Sequence, residues 1–270
     1  MKLRIYSVVL LSAVLFSCGS TQKATTSAGS QDKLLMAVAW YQHSAEMAAL
    51  YYQGFNIAQQ RLDQAVDTNR AGKKLAVVVD IDETMLDNSP FEATLINNAD
   101  FREGWYNWTS KASAKALPGA LEFAQYVQSK QVEIFYITNR DDNERSVTLK
   151  NLQNQNFPFA TEDHLLTRSD LSYSTGNTSS KAGRRAKVAE SHEIILLIGD
   201  NLNDFSELFE ARDSNNGKQA VYENREQFGR KFIVLPNPMY GAWEKPLYDY
   251  KEGLSDAEKS LLLKAKLIGE

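Results

Sequence analysis

The stretch from Leu75 to Pro90 reads LAVVVDIDETMLDNSP, and it indicates the fold of this 270-residue chain. It begins with a continuous apolar run rich in β-branched residues, which is typical of a strand covered on both faces of a sheet. It then becomes acidic, and its first two aspartates, Asp80 and Asp82, are separated by a single residue. We therefore predict a buried strand over Leu75 to Ile81 that delivers carboxylates at its end.

Three further apolar runs have the same character: Val132 to Thr138, Ile194 to Ile198 and Phe232 to Leu235. Between the runs lie segments with helical character, namely Gly119 to Ser129, Asp142 to Gln155 and Lys181 to Ser191. Strands that alternate with helices indicate βαβ units and a parallel sheet flanked by helices. The predicted fold class is α/β, with a Rossmann-like core over about residues 75–245.

A smaller helical part is predicted before the first strand, over residues 32–70. Apolar or bulky residues recur there at spacings of three and four, which is the period of an amphipathic helix. Gly54 lies within this pattern and is expected to divide it into two shorter helices. A second stretch without core character, residues 87–117, is inserted after the first strand and contains Trp105. Such an insertion is a natural place for a surface that contacts a substrate.

The N-terminus has the pattern of an export signal over residues 1–17. Two basic residues precede an apolar stretch from Ile5 to Phe16, which is too short to cross a bilayer. The segment Leu15-Phe16-Ser17-Cys18 that follows resembles the lipobox of bacterial lipoproteins, in which the cysteine is lipidated. Residues 18–31 are then expected to be a flexible tether, because they are rich in Ser, Thr, Gly and Ala. We predict a lipoprotein of the bacterial cell envelope, anchored at Cys18 in the outer membrane.

Composition excludes several classes of protein and site. The chain has 30 basic and 34 acidic residues and a net charge of -4, so nothing supports an electrostatic groove for a nucleic-acid polymer. Its single cysteine rules out an internal disulfide and a cysteine-built metal site. The three histidines lie outside the polar strand ends, and none has a partner at metal-ligand spacing.

Polar residues follow three of the predicted strands at the points where they end. Asp80 and Asp82 follow the first, Thr138 and Asn139 end the second, and Asp200 follows the third within Gly199-Asp-Asn-Leu-Asn-Asp204. Clustered carboxylates repel one another unless a cation binds among them, and oxygen ligands suit Mg²⁺. A magnesium ion would hold a phosphate oxygen, and a carboxylate could then attack the phosphorus. The pattern therefore predicts a magnesium-dependent phosphoryl site.

Four features of the sequence resemble the four motifs of the haloacid dehalogenase (HAD) superfamily of phosphohydrolases: Asp80-Ile-Asp-Glu-Thr84, Thr138, Lys181 and Gly199-Asp-Asn-x-x-Asp204. The longer strings DIDETMLDNSP at Asp80 to Pro90, YITNR at Tyr136 to Arg140, GDNL at Gly199 to Leu202 and LPNPMYGAWE at Leu235 to Glu244 are similar to those of the class C acid phosphatases. That family comprises bacterial lipoprotein 5′-nucleotidases. The resemblance implies one acid phosphatase domain over residues 32–270, which acts on small phosphomonoesters, above all nucleoside 5′-monophosphates, and forms a homodimer.

The resemblance also implies the catalytic roles. Asp80 would be the nucleophile, and Asp82 would protonate the leaving group and then activate water. The carboxylates of Asp80 and Asp200, together with the backbone carbonyl of Asp82, would bind Mg²⁺.

The remaining roles concern the substrate and the support of the site. Thr138, Asn139 and Lys181 would bind the phosphoryl group. Asp204 would hold Lys181 or support the metal ligands. Trp105 and Tyr240 would stack on the nucleobase.

Several alternatives remain open from the sequence. Arg184 or Lys187 could replace Lys181 as the functional cation, and Trp108 and Trp243 compete with the two stacking aromatics. The enzyme could be a phosphatase or a phosphotransferase without preference for nucleotides. A surface lipoprotein that binds without catalysis is a further alternative, although it would need no nucleophile beside an acid.

Overall fold

The computed structural model describes residues 31–69, 72, 74–96, 101–168, 179–212 and 215–269. The predicted signal at residues 1–17, the lipidation site Cys18 and all of the tether except Gln31 lie outside the described residues. Those expectations stay predictions.

The described strands are, in chain order, β1 (Leu75–Val79), β2 (Leu86–Asp87), β3 (Lys115–Ala116), β4 (Glu133–Ile137), β5 (Leu165–Leu166), β6 (Glu193–Gly199) and β7 (Phe232–Val234). Five of them form one parallel sheet in the order β5-β4-β1-β6-β7. The short strands β2 and β3 pair antiparallel and enclose the insertion after β1. The predicted α/β class with a parallel sheet is confirmed.

The described α-helices are α1 (Gln31–His43), α2 (Ala45–Thr68), α3 (Ser89–Leu95), α4 (Phe101–Thr109), α5 (Ala120–Ser129), α6 (Arg145–Asn154), α7 (Ala182–Ala189), α8 (Lys218–Glu223) and α9 (Asp256–Lys266). A 3₁₀ helix, Ala242–Tyr248, precedes α9. None of the helices in the described ranges combines the length and the apolar character that a bilayer crossing needs.

The sheet has a separate apolar cluster on each face. Val77 and Val79 of β1 belong to a cluster with α2 and α5, whereas Ala76 and Val78 belong to a cluster with α7 and the phenylalanines near β7. This alternation is what a strand with both faces buried requires. Because both faces are covered, the carboxyl edge of the strands is where polar groups can collect.

The four strands expected from the apolar runs are present, although their ends differ. β1 ends at Val79 rather than Ile81 because the chain turns there, and the carbonyl of Ile81 accepts hydrogen bonds from the backbone N–H groups of Met85 and Leu86. β5 was not predicted, because a strand of two residues has no recognisable hydrophobic period.

The expectation that Gly54 divides the N-terminal helices was wrong. The break lies at Ser44, whose hydroxyl caps α2 by accepting a hydrogen bond from the Met47 N–H at 3.1 Å. Gly54 is buried in the middle of α2, where a Cβ would lie 2.6 Å from Cδ2 of Leu235. A glycine is therefore required at this position because α2 and the chain after β7 pack too closely for a side chain.

At the amino end of β4, away from the carboxyl ends of the strands, the carboxylate of Glu133 contacts two histidines. His164 Nε2 lies 3.0 Å from one oxygen of Glu133, and His192 Nε2 lies 3.2 Å from the other. Burial alone would raise the pKa of Glu133, but the two histidines outweigh it and hold the pKa below the usual value of 4.5. A lowered carboxylate pKa contributes stability above the ordinary value, and that stability is lost as the pH falls through the lowered one.

We therefore expect Glu133→Gln to lower the melting temperature by about 2–4 °C at pH 6, corresponding to about 1 kcal/mol. The difference from wild type should be smaller at pH 3, because the native carboxylate takes up its proton as the pH falls through the lowered pKa. Thermal denaturation followed by circular dichroism measures both. Glu162→Gln, at a mostly exposed position, is the control. A deficit of equal size at both pH values would contradict the assignment.

Candidate active site

The carboxyl ends of β1, β4 and β6 open into a cleft of about 1330 Å³. Eight of the ten site residues predicted from the sequence are among those that line the cleft: Asp80, Asp82, Trp105, Asn139, Lys181, Asp200, Asp204 and Tyr240. Thr138 is fully buried behind the lining, and Cys18 lies outside the described residues. The parallel topology explains this gathering, because the ends of parallel strands meet at one edge of the sheet.

Asp80 is the first residue after β1 and is almost completely buried. One carboxylate oxygen accepts a hydrogen bond from Nζ of Lys181, and the other accepts one from the Thr84 hydroxyl at 3.3 Å. Burial raises the pKa of Asp80 to about 7, opposed by Lys181 and reinforced by the charges of Asp204 and Asp82. The residue is thus a shielded carboxylate held in place by a cation.

Lys181 lies immediately before α7 and joins two carboxylates. Its Nζ contacts Asp80 and lies 2.7 Å from Oδ1 of Asp204. Burial lowers the pKa of Lys181, but the two aspartates outweigh that effect and raise it, so the ammonium stays charged. The other oxygen of Asp204 accepts the Asn201 N–H at 3.0 Å. Gly199 is needed for this packing, because a Cβ there would lie 2.7 Å from the Asp204 Cβ.

Three carboxylates could together hold a metal ion. Ligand atoms of Asp80, Asp200 and Asp204 all lie within 4.8 Å of one another. Burial, together with the charges of Asp204 and Asp80, raises the pKa of Asp200 well above its usual range. Mutual repulsion of this kind is relieved by a cation, and an all-oxygen set suits a hard divalent ion. Of these three, Asp80 and Asp200 are the two that the sequence resemblance predicts as ligands, and that assignment stays a prediction.

The carboxylate of Asp82 lies outside that acidic cluster. It receives hydrogen bonds from Nη2 of Arg140 at 2.7 Å and from Nδ2 of Asn88 at 2.8 Å, with the Thr138 hydroxyl 3.4 Å away. Arg140 is 3% exposed, so this is a buried, two-pronged ion pair that fixes the carboxylate. Arg140 belongs to the YITNR motif, but no role was predicted for it. Its position directly after Asn139 was the feature of the sequence that could have indicated a place in the site.

Of the three candidate cations, the structure places Lys181 alone beside Asp80. Arg184 donates instead to the carbonyl of Thr138 and, at 2.7 Å, to the side chain of Asn139, so it braces the loop after β4. Lys187 is half-exposed and pairs with Glu190 on the surface. The role of Lys181 in binding the phosphoryl group stays a prediction.

The structure distinguishes Trp105 from Trp108 but does not distinguish Tyr240 from Trp243. Trp105 lines the cleft and lies 5.4 Å from the guanidinium of Arg140, whereas Trp108 donates to Asn88 at 2.8 Å and packs against the core. Tyr240 and Trp243 both line the cleft. A role in stacking therefore stays a prediction for Trp105 and Tyr240.

Glu83 is a buried residue that sequence reasoning missed. Its carboxylate accepts hydrogen bonds from the Tyr240 hydroxyl and, at 2.7 Å, from the Asn88 N–H, and its carbonyl accepts one from the Tyr51 hydroxyl. Its φ of 57° places it in the left-handed region, at the tight turn after Asp82. Glu83 thus holds Tyr240 against the acidic loop. Its charge within the DIDETMLDNSP motif was the one feature of the sequence that could have indicated this role.

Comparison with known proteins gives a consistent result. The family model described as HAD superfamily, subfamily IIIB (acid phosphatase), matches residues 9–243. The structure of the class C acid phosphatase from Bacillus anthracis aligns with a TM-score of 0.81 and 43% identity, covering 89% of this chain and 98% of that one. A second structure from that organism, with tungstate bound, aligns with the same TM-score and coverage at 42% identity.

A more distant relative is acid phosphatase 1 of Solanum lycopersicum, which is 27% identical over 183 residues. That alignment covers 66% of this chain and 62% of the tomato protein, so the chain spans less than two thirds of that relative's length.

Proposed function

The chain belongs to subfamily IIIB of the HAD superfamily, the acid phosphatases, which hydrolyse phosphoric monoesters, and from this premise we propose a specific reaction. It is the magnesium-dependent hydrolysis of nucleoside 5′-monophosphates through an aspartyl-phosphate. The observation that carries the proposal is the buried carboxylate of Asp80, held by Lys181 beside a second acidic loop. The tungstate bound to the Bacillus anthracis relative supports it, because tungstate is a tetrahedral oxyanion like phosphate.

The residues divide the chemistry between them. An oxygen of Asp80 attacks phosphorus and the ester P–O bond breaks, while Asp82 gives its proton to the leaving alkoxide. Asp82 then takes a proton from water, which attacks the aspartyl-phosphate and releases inorganic phosphate and free Asp80. Lys181 offsets negative charge on the phosphoryl oxygens. Arg140 and Asn88 keep the Asp82 carboxylate oriented.

A divalent cation fits this site on the chemistry of its donors. Asp80 and Asp200 would hold it, with the Asp82 carbonyl that the family resemblance implies, and a bound dication favours the ionised carboxylates and neutralises phosphate charge. This matters at acidic pH, because the Asp80 pKa of about 7 without a metal leaves its carboxyl protonated. Magnesium is the proposed ion.

The nucleotide preference rests on the walls of the cleft. A volume of about 1330 Å³ is ample for a nucleotide, and Trp105 and Tyr240 present aromatic side chains to it. Stacking of a base on an aromatic side chain contributes about 1–3 kcal/mol. An ester without a ring gains nothing from these walls.

The test is phosphate release from AMP and from β-glycerol phosphate near pH 5.5, with Mg²⁺ and with EDTA. We expect turnover only with Mg²⁺ and a clear preference for AMP. Trp105→Ala should raise KM for AMP about tenfold and leave β-glycerol phosphate nearly unaffected. Tyr222→Ala, an exposed tyrosine outside the cleft, is the matched control. Equal kcat/KM for both esters would contradict the proposed nucleotide preference. Full activity in EDTA would contradict the proposed dependence on Mg²⁺.

We also propose that Cys18 is lipidated and anchors the domain in the outer membrane of a bacterial envelope. Support comes from the sequence alone, since the apolar segment ends at Phe16, two positions before this cysteine. Expression in a Gram-negative bacterium should give a membrane-bound, acylated protein, whereas Cys18→Ser should give protein without the lipid mass. Intact-mass spectrometry of the membrane and soluble fractions measures this. An unmodified wild-type Cys18 would refute the anchor.

A further inference from the structure

One side chain of the loop after β7 reaches two parts of the site, and the proposed mechanism gives it no role. Asn237 belongs to the LPNPMYGAWE motif and is partly buried. Its Nδ2 donates a hydrogen bond to Oδ2 of Asp200 at 2.8 Å. Its Oδ1 accepts the N–H of Met239 at 2.9 Å and, at the longer distance of 3.4 Å, the N–H of Tyr240. The carboxamide therefore bridges a carboxylate of the acidic cluster and the segment that carries one aromatic wall of the cleft.

The parallel sheet explains why this residue lies beside Asp200. β7 pairs with β6 as far as Val234 and Gly199, and the Leu235 N–H continues the ladder by donating to the Gly199 carbonyl at 2.9 Å. Asp200 directly follows β6, so the chain that leaves β7 passes next to it. Because the carboxyl ends of neighbouring parallel strands lie at one edge of a sheet, a polar residue shortly after β7 reaches the acidic strand ends.

The amide oxygen of Asn237 determines how the chain approaches Tyr240. An asparagine that accepts the N–H two residues further along closes an Asx turn, which fixes the direction of the backbone. The other end of the tyrosine is also held, because its hydroxyl donates to the carboxylate of Glu83. Tyr240 is thus attached twice, by its backbone through Asn237 and by its hydroxyl through Glu83. Loss of the first attachment should loosen the ring without removing it from the cleft.

The amide nitrogen acts on the other half of the site. Hydrogen bonds to a carboxylate that binds a cation orient it, and loss of such a partner weakens metal binding about 10–100-fold. A neutral donor suits this place beside Asp200. A cationic donor would compete with the bound ion, and a further carboxylate would repel Asp200.

We propose that Asn237 is a positioning residue, which orients the carboxylate of Asp200 for the metal with its amide nitrogen and the Tyr240 wall with its amide oxygen. The inference rests on the proposed magnesium-dependent hydrolysis of nucleotides, and it assigns the support of both the ion and the base to one side chain. The two effects are separable, because the two polar atoms of the amide act on different partners.

Asn237→Leu tests both effects, since it keeps the size of the side chain and removes both polar atoms. Titration calorimetry of Mg²⁺ at pH 7.5, without substrate, should give a dissociation constant at least about tenfold higher than that of wild type. In saturating Mg²⁺, the KM for AMP should rise about fivefold, the fold-change of one neutral hydrogen bond, and the KM for β-glycerol phosphate should stay within about twofold. Asn224→Leu is the matched control. Asn224 is also partly buried, and it donates to the Ala220 carbonyl at 2.8 Å outside the cleft, so all three values should stay at those of wild type.

Asn237→Ser separates the two effects. A serine hydroxyl accepts the Met239 N–H in the same kind of turn, but it is too short to reach Asp200 at the same time. We expect Mg²⁺ binding to weaken as in Asn237→Leu, while the ratio of the two KM values stays near that of wild type. A general loosening of the fold would change both quantities together.

The outcomes distinguish this inference from the function on which it rests. No turnover of any ester, or no binding of Mg²⁺, by folded wild type would overturn the proposed function itself. Wild-type affinity for Mg²⁺ in Asn237→Leu would overturn the role at Asp200, and an unchanged ratio of the KM values would overturn the role at Tyr240. Should Asn237→Leu not fold, Asn237→Ser decides. Wild-type affinity for Mg²⁺ in that variant, or a shift of its KM ratio by fivefold or more, would overturn the proposal.

Discussion

Asp80→Asn is expected to reduce phosphate release from AMP by at least about 10⁴-fold, the largest loss among the variants considered. The substitution keeps the size of the side chain and removes the oxygen nucleophile, so no aspartyl-phosphate can form. Binding of Mg²⁺ should weaken as well, because Asp80 belongs to the cluster of three carboxylates that could hold the ion. Steady-state kinetics with AMP in saturating Mg²⁺ measure the loss, and Asp163→Asn, at an exposed aspartate, is the control.

The same variant should be at least as stable as the wild type when the metal is removed. The raised pKa of Asp80, about 7, means that the folded state binds its proton more tightly than the unfolded state does. A raised carboxylate pKa costs stability progressively as the pH rises from the ordinary value near 4 to about 7. Asparagine does not ionise and avoids that cost.

Chemical denaturation in EDTA at pH 4.5 and pH 7.5 measures this effect. The stability of Asp80→Asn relative to wild type should increase between the two pH values. A loss of stability at both pH values would contradict this prediction, and the loss of activity would then be explained by misfolding.

The acidic strand ends were readable from the sequence because the carboxyl edge of a parallel sheet follows from local pattern alone. Asp80, Asp82 and Asp200 each come directly after an apolar run, so the existence of the strands already places the carboxylates together. The N-terminal helices and the α/β core were predictable for the same reason, since their periods are local.

What escaped prediction depends on contacts between distant segments. Arg140 and Glu83 are charged, and charged side chains are usually exposed, so nothing local indicates that the first pairs with Asp82 or that the second holds Tyr240. Gly54 suggested a helix break, whereas its actual role is set by Leu235, 181 positions further along the chain.

Lys181→Met should lower both activity and stability, which distinguishes it from Asp80→Asn. Lys181 is buried between Asp80 and Asp204, and its removal leaves carboxylates without their cation. Breaking a buried ion pair by deleting one partner costs about 3–5 kcal/mol. The expected loss in kcat is about 10²–10³-fold, as for other groups that offset charge in a transition state. Urea denaturation in EDTA measures the loss in free energy of unfolding, and steady-state kinetics in Mg²⁺ measure the loss in kcat.

A matched control lies on the same helix, because Lys187→Met removes a half-exposed lysine that pairs with Glu190 at 2.8 Å and should change stability by less than about 1 kcal/mol. The double variant Lys181→Met/Asp204→Asn removes one of the stranded carboxylates, so it should regain part of the stability while activity stays low. Recovery of stability without activity is the signature of a lysine that serves both the fold and the reaction. If Lys181→Met were as stable as wild type, the buried pairing would be wrong; if the double variant recovered full activity, Lys181 would only have been balancing Asp204.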